Sequence, residues 1–158
     1  HVAASCSTSG IMSGSLAPMP PRFALVELEL EARLAAGEVL WLTTVDERGQ
    51  PQTSPVWFVW HGGAFHLASE PGAGKIANIG ARPRVSVHLD GAGVGDLVVT
   101  VEGIGSITAG LTAEVAERYL AKYSDGFRRL GLAPADYLAQ FSTAVEVAPV
   151  RWRVFPSS

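Results

Sequence analysis

The stretch at residues 52–78, QTSPVWFVWHGGAFHLASEPGAGKIAN, constrains the fold more than any other part of the chain. It reads as a strand over 52–60, a tight turn at His61-Gly62-Gly63, a strand over Ala64–Ser69, and a glycine-rich loop opening a short helix over 75–81. Neither face of the first strand is polar, because Ser54, Val56, Phe58 and Trp60 alternate with Thr53, Pro55, Trp57 and Val59. A strand of that kind is covered on both sides. Pro55 removes one ladder donor, which suits an edge, a bulge or a place where something else approaches. The unit offers backbone groups to a flat heterocycle along one strand and an anion site at the helix start. The pattern points to a nucleotide-like redox cofactor.

At the helix start, unpaired backbone N–H groups and the helix dipole favour an anion, and Gly72 and Gly74 allow close approach to the backbone. Lys75 adds a full charge, and Asn78 and Ile79 lie on its side of the helix at helical spacing. A nucleotide-triphosphatase loop is excluded, because GxxxxGK[ST] requires Gly at 69 and Ser or Thr at 76 where the chain has Ser69 and Ile76. The GxGxxG dinucleotide fingerprint is absent, since Ile76 and Ala77 follow Lys75.

The rest of the chain supplies a frame for this unit. Residues 1–20 read as a flexible leader, rich in Ser, Gly and Pro, and 21–158 as one domain. A helix is expected over 23–36, with Leu25, Leu28, Ala32 and Ala35 on one face, glutamates near its start and Gly37 ending it. Strands follow over Val39–Val45 and 84–90, then a glycine-rich turn over 91–95 and a long strand over 97–108 bent at Gly103 or Gly105. Thr112 reads as the N-cap of a helix over 113–123, with Val115, Ala116, Tyr119 and Leu120 on one side. A loop over 126–134, a short helix over 134–141 and a strand over 144–155 broken at Pro149 complete the chain. About six strands with short helices between them make a mainly antiparallel β-barrel.

Composition limits the partners. The 158 residues carry a net charge of −3, so no general attraction to nucleic acid or anionic membrane is expected. No apolar run is long enough for a membrane span. Cys6 is the single cysteine, so no disulfide framework is possible and a reducing cytoplasm is the expected compartment. His61, His66 and His88 are scattered without HExxH spacing, and no metal site is expected. No GxSxG elbow is present, and Glu102 could be a buried acid, although a single carboxylate at a barrel rim is more often structural. Of four tryptophans, Trp57 is the one placed beside a ring system.

The motifs resemble those of the pyridoxamine 5′-phosphate oxidase-like, flavin-binding split-barrel family. They are Ser54-Pro55-Val56-Trp57-Phe58, then S-x-P-x-x-x-K-x-x-N-I from Ser69 to Ile79, then Pro83-Arg84-Val85-Ser86-Val87-His88-Leu89-Asp90, then Val101-Glu102-Gly103. Within the family the chain is most similar to the deazaflavin-dependent branch, which uses coenzyme F-420. The resemblance spans residues 38–155, most specifically up to Asp90. It implies a homodimer of split barrels with a cofactor in each of two grooves between the subunits. Thr53, Ser54, Pro55, Val56 and Trp57 would lie along the tricyclic ring. Ser69, Gly74, Lys75, Asn78 and Ile79 would hold the phosphate end. The implied activity is a reductase passing hydride from F-420 to a small conjugated acceptor, at a pocket built from the loops over 91–95 and 126–134. No side chain is assigned as catalytic. The alternatives are an FMN-dependent oxidoreductase of the same fold and a non-catalytic flavin, deazaflavin or haem carrier. Val98 stands where vitamin B6 oxidases carry Gln, and the chain ends soon after Trp152-Arg153-Val154-Phe155, so that oxidation is not expected. Ala73 and Gly74 replace basic residues of many relatives, so phosphate binding leans on Lys75 and backbone.

Overall fold

The computed structural model describes residues 21–91 and 97–155, with residues 21–25 described as backbone alone. The leader over 1–20 and positions 92–95 of the glycine-rich turn lie outside the described residues. The elements are α1 (Pro21–Ala36), β1 (Val39–Val45), β2 (Pro51–Trp57), β3 (Val59–His61), β4 (Ala64–Ser69), α2 (Gly74–Ala81), β5 (Arg84–Leu89), β6 (Val98–Thr108), α3 (Ala113–Lys122), α4 (Ser124–Leu130), α5 (Pro134–Gln140) and β7 (Thr143–Phe155).

All seven strands join one sheet in the order β2-β1-β5-β6-β7-β4-β3, and every pairing is antiparallel. β2 and β3 stand at opposite edges of that order, yet a single residue, Phe58, joins them. The sheet must therefore be rolled until its edges meet. The result is a β-barrel split between β2 and β3/β4, and the chain itself spans the split. Leu40, Leu42, Phe58, Phe65, Leu67, Val87, Val99, Val101 and Val147 fill its interior, and Ile79 of α2 packs into the same core.

The strand expected over 52–60 is thus two strands of the same sheet. It breaks at Phe58, where the backbone leaves one edge and enters the other. Phe58 N–H donates to the Tyr123 hydroxyl at 2.8 Å, and Phe58 O accepts from Lys122 Nζ and Tyr123 Oη, each at 2.9 Å. Side chains from α3 and its end thus replace the ladder bonds lost at the kink. Gly62 and Gly63 turn β3 into β4 with φ of 61° and 78°, the left-handed pair of a type I′ hairpin. The β6–β7 ladder shifts register between Glu102 and Gly103, opposite Pro149, so β7 is continuous and its proline sits at a bulge.

Three further expectations are corrected. The face of α1 turned to the core carries Val26, Leu30 and Leu34, whereas Leu28, Ala32 and Ala35 are exposed. With the helix starting at Pro21, its first turn holds no acidic residue. The loop expected over 126–134 begins as a helix, α4, ended by Gly131 in the left-handed conformation. Glu102 points outward and pairs with Arg153 at 2.5 Å, in keeping with a structural carboxylate. Thr112 does cap α3, its hydroxyl accepting from Val115 N at 3.4 Å. Among the described residues no helix is long and apolar enough to cross a membrane.

Candidate cofactor site

β2 is an edge strand, bonded to β1 alone, so half of its backbone polar groups face away from the sheet. Pro51, Thr53 and Pro55 are exposed on one face, Val56 is buried on the other, and Ser54 is half-buried. Thr53 Oγ1 lies 2.7 Å from Thr43 Oγ1, tying the ribbon to β1 on its outer side. From Thr53 to Trp57 the ribbon runs about 13 Å at ordinary strand rise.

α2 stands beside the first half of this ribbon. The amide of Asn78 is buried and donates to Thr44 Oγ1 at 3.0 Å and to Gln52 Oε1 at 3.3 Å. Gln52 Nε2 in turn reaches Asp46 Oδ2 at 3.3 Å, and Asp46 Oδ1 accepts from Arg48 N and Gln50 N in the β1–β2 turn. Both amide hydrogens of Asn78 are therefore used inside the chain, and its part in the site is to fix α2 against β2. Ile79 is buried and seats the helix on β6: a Cβ at Gly105 would come within 2.9 Å of Ile79 Cγ2.

The start of α2 is open. Ala73 supplies no side-chain cap, and space beyond 4 Å surrounds the positions a Cβ would occupy on Gly72 and Gly74. Neither glycine has positive φ, so the backbone does not require them; what they contribute is clear approach to the N–H groups. Lys75 is half-buried and, among the described residues, has no carboxylate partner. Ser69 is buried at the end of β4, its hydroxyl donating to Glu70 O at 3.2 Å. Uncapped donors, an unneutralised ammonium and a neighbouring exposed ribbon fit a phosphorylated planar group.

Trp57 is occupied by the protein. Its indole stacks on Tyr123 at 4.4 Å and 3°, with Tyr137 at 5.6 Å and Phe127 edge-on at 5.6 Å. Tyr119, Tyr123 and Phe127 recur every fourth residue through α3 and α4 and pack as a second core outside the barrel. That spacing was the sequence signal for this cluster. Burial pushes the Tyr119, Tyr123 and Tyr137 hydroxyls up, so all three stay protonated. Next to them Lys122 Nζ lies 3.8 Å from the centre of the Phe58 ring. Burial lowers its ammonium to about 8, and the Glu38 carboxylate pulls the other way. Two open clefts are lined by no residue of α2. One, of about 490 Å³, is bounded by Glu38, Asp125, Arg128 and Arg129; the other, of about 280 Å³, lies between Leu111, Leu138 and Phe141. Among the described residues no three His, Cys, Asp or Glu converge as a metal site.

A rolled antiparallel sheet, split at an edge ribbon beside an open helix start, defines the flavin-binding split barrel as a class. The chain belongs to the pyridoxamine 5′-phosphate oxidase family, whose profile matches residues 26–155. Among solved structures it is similar to an F-420 reductase, with 22% identity, a TM-score of 0.60, and coverage of 77% of this chain and 94% of the other. A conserved hypothetical protein from Mycobacterium tuberculosis shares 22% identity at a TM-score of 0.65, covering 82% and 84%. An FAD-binding protein from Mesorhizobium loti shares 22% at 0.60, covering 81% and 90%. At these identities the likeness is one of fold. No curated protein matches the sequence.

Proposed function

We propose that the chain is an oxidoreductase holding coenzyme F-420 along β2, with the cofactor's phosphate at the start of α2, and passing hydride to a small conjugated acceptor. The observation that carries this reading is Lys75: an ammonium without a carboxylate partner among the described residues, at an uncapped helix start pinned to an exposed edge ribbon by Asn78 and Gln52. The resemblance of its motifs to the deazaflavin branch, and the similar fold of an F-420 reductase, support the choice of cofactor. Lys75 and the backbone N–H groups around Gly74 would bind phosphate, and residues 53–56 would orient the ring. When bound, the cofactor supplies the hydride chemistry. A fixed protonatable group at the far end of the ribbon supports an enzyme over a carrier. Lys122, held at Phe58 O, is that group.

The ribbon needs a cover on its open side, which we assign to a second copy of the chain. The outward row of β1, Val39, Trp41, Thr43 and Val45, is apolar at three of four positions and half-buried, and Val98 on β6 is exposed. Titrating the purified chain with F-420, FMN and haem, followed by fluorescence and absorbance, tests the cofactor. Tight binding of F-420 is expected. Tight FMN binding with none of F-420 would move the chain to the FMN-dependent enzymes, and haem binding alone to the carriers.

A further inference from the structure

Glu38, Asp125, Arg128 and Arg129 line an open cleft of about 490 Å³, a volume in the range of small-molecule sites. The cleft lies at the end of β2 opposite α2, because Glu38 immediately precedes Val39, whose register partner is Trp57. On the α4 wall Asp125, Arg128 and Arg129 fall at i, i+3 and i+4 and share one face. Gly126 and Phe127 turn the other way, onto the Trp57 indole.

The two acids and two arginines that line this cleft cancel in charge, but they are unevenly paired. Arg128 is paired with Asp125, whereas Arg129 reaches Glu38 only at 4.0 Å. Glu38 also acts on Lys122, whose ammonium is tethered at Phe58 O beside the same strand end. One carboxylate is shared by two cations, and most of the Arg129 fork is left free. A guanidinium with free donors in an open cleft matches a carboxylate in geometry as well as charge.

We infer that this cleft is the acceptor subsite and that it selects an acceptor bearing a carboxylate or similar anion, held by Arg129 and Arg128 with its conjugated part toward the Trp57 end of β2. The inference rests on the reading of β2 as the cofactor ribbon. The cleft wall over Ser124–Leu130 is the helix α4 rather than the loop expected there. The inference also explains an oddity of that helix: Gly126 lets α4 sit directly on Trp57, where a Cβ would stand 3.2 Å from the indole. The charged face of α4 is thereby brought to the ribbon end.

The test uses cinnamate and cinnamamide, conjugated probes alike in shape and different in charge, titrated calorimetrically into the full chain with and without F-420. Cinnamate should bind at least about tenfold more tightly, as expected of a charge-assisted fork. An Arg128→Met/Arg129→Met double variant should lose that preference while keeping its melting temperature and its affinity for F-420. Arg129→Lys should keep only part of the preference, because charge remains and the fork does not. Equal affinity for the two probes, or a preference that survives the double variant, would overturn the subsite. So would a finding that cinnamate does not bind. Failure of F-420 to bind while the cinnamate preference stands would overturn the acceptor role through the cofactor reading, leaving an anion cleft. Tight F-420 binding without the preference would overturn the subsite alone.

Discussion

Lys75 and Asn78 lie one helical turn apart and do opposite work. Asn78 spends its amide on Thr44 and Gln52, whereas Lys75 has no partner among the described residues. Their substitutions should separate accordingly. Lys75→Ala is expected to weaken F-420 or FMN binding about 10- to 100-fold, the value of one charge-assisted contact, with no change in melting temperature. An unchanged dissociation constant by fluorescence titration would place the phosphate elsewhere. Asn78→Ala leaves the buried Thr44 hydroxyl without its donor and frees the exposed Gln52 carbonyl to water. It should cost about 1–3 kcal/mol in urea unfolding, and a change below about 0.5 kcal/mol would show that the amide does not pin α2. Gly74→Ala has room for its methyl group and a better helix former at the start of α2. Stability should hold or rise, while the methyl narrows the approach to the N–H groups and weakens phosphate binding. A variant that binds as well as the parent would show that Gly74 is not part of the mouth.

The element that shapes the site is the kink at Phe58, and its support comes from a helix end 65 residues away. Tyr123→Phe removes the hydroxyl that serves Phe58 N, Phe58 O and Glu38 O, so it should destabilise by about 1–3 kcal/mol. The pH profile adds a second check. The unfolded chain holds the Lys122 proton at an ordinary value of 10.5 and the folded chain at about 8. Unfolding therefore takes up protons between these values, and the Lys122 contribution to stability rises with pH through that window, its penalty being complete below it. The raised tyrosines act oppositely, with their contribution complete below about pH 10 and lost as pH climbs further. Melting temperature should rise from pH 8 toward 9.5, and Lys122→Met should flatten that rise; a flat profile in the parent protein would refute the assignment. This non-local support is also why the kink was illegible in the sequence, since Phe58 is neither Gly nor Pro and stands in an unbroken apolar run. α4 was hidden for a related reason: Gly126 reads as a breaker, whereas in the fold it packs closely on Trp57, where a Cβ would stand 3.2 Å from the indole. In α1 the run VELELEARL allows two apolar faces, and contact with the barrel selects Val26, Leu30 and Leu34 over Leu28. Where the cause is local, the sequence was readable: the Gly62-Gly63 turn and the Thr112 cap follow from the residues themselves, whereas the break expected at Pro149 is only a bulge in a continuous strand.

For the whole molecule, the question is how the open ribbon acquires its second wall. Edge-to-edge growth of the sheet is blocked at both ends, since β2 carries Pro51 and Pro55 and β3 is three residues long. The second copy proposed as that wall would then approach through faces. The outward row of β1, with Trp41 stacked on His88 and bonded to Asp90 at 3.0 Å, is preorganised for such contact. Light scattering on the purified chain should return twice the chain mass. Val98 is exposed in the single chain, so Val98→Glu should leave each barrel folded by circular dichroism. If that face is the seam, a buried charge there should shift the mass to that of one chain and abolish F-420 binding together with it, because the groove would lose its cover. A parent protein that runs as a monomer yet binds cofactor tightly would show that one barrel completes the site alone, and the role given to the outer face of β1 would fall with it.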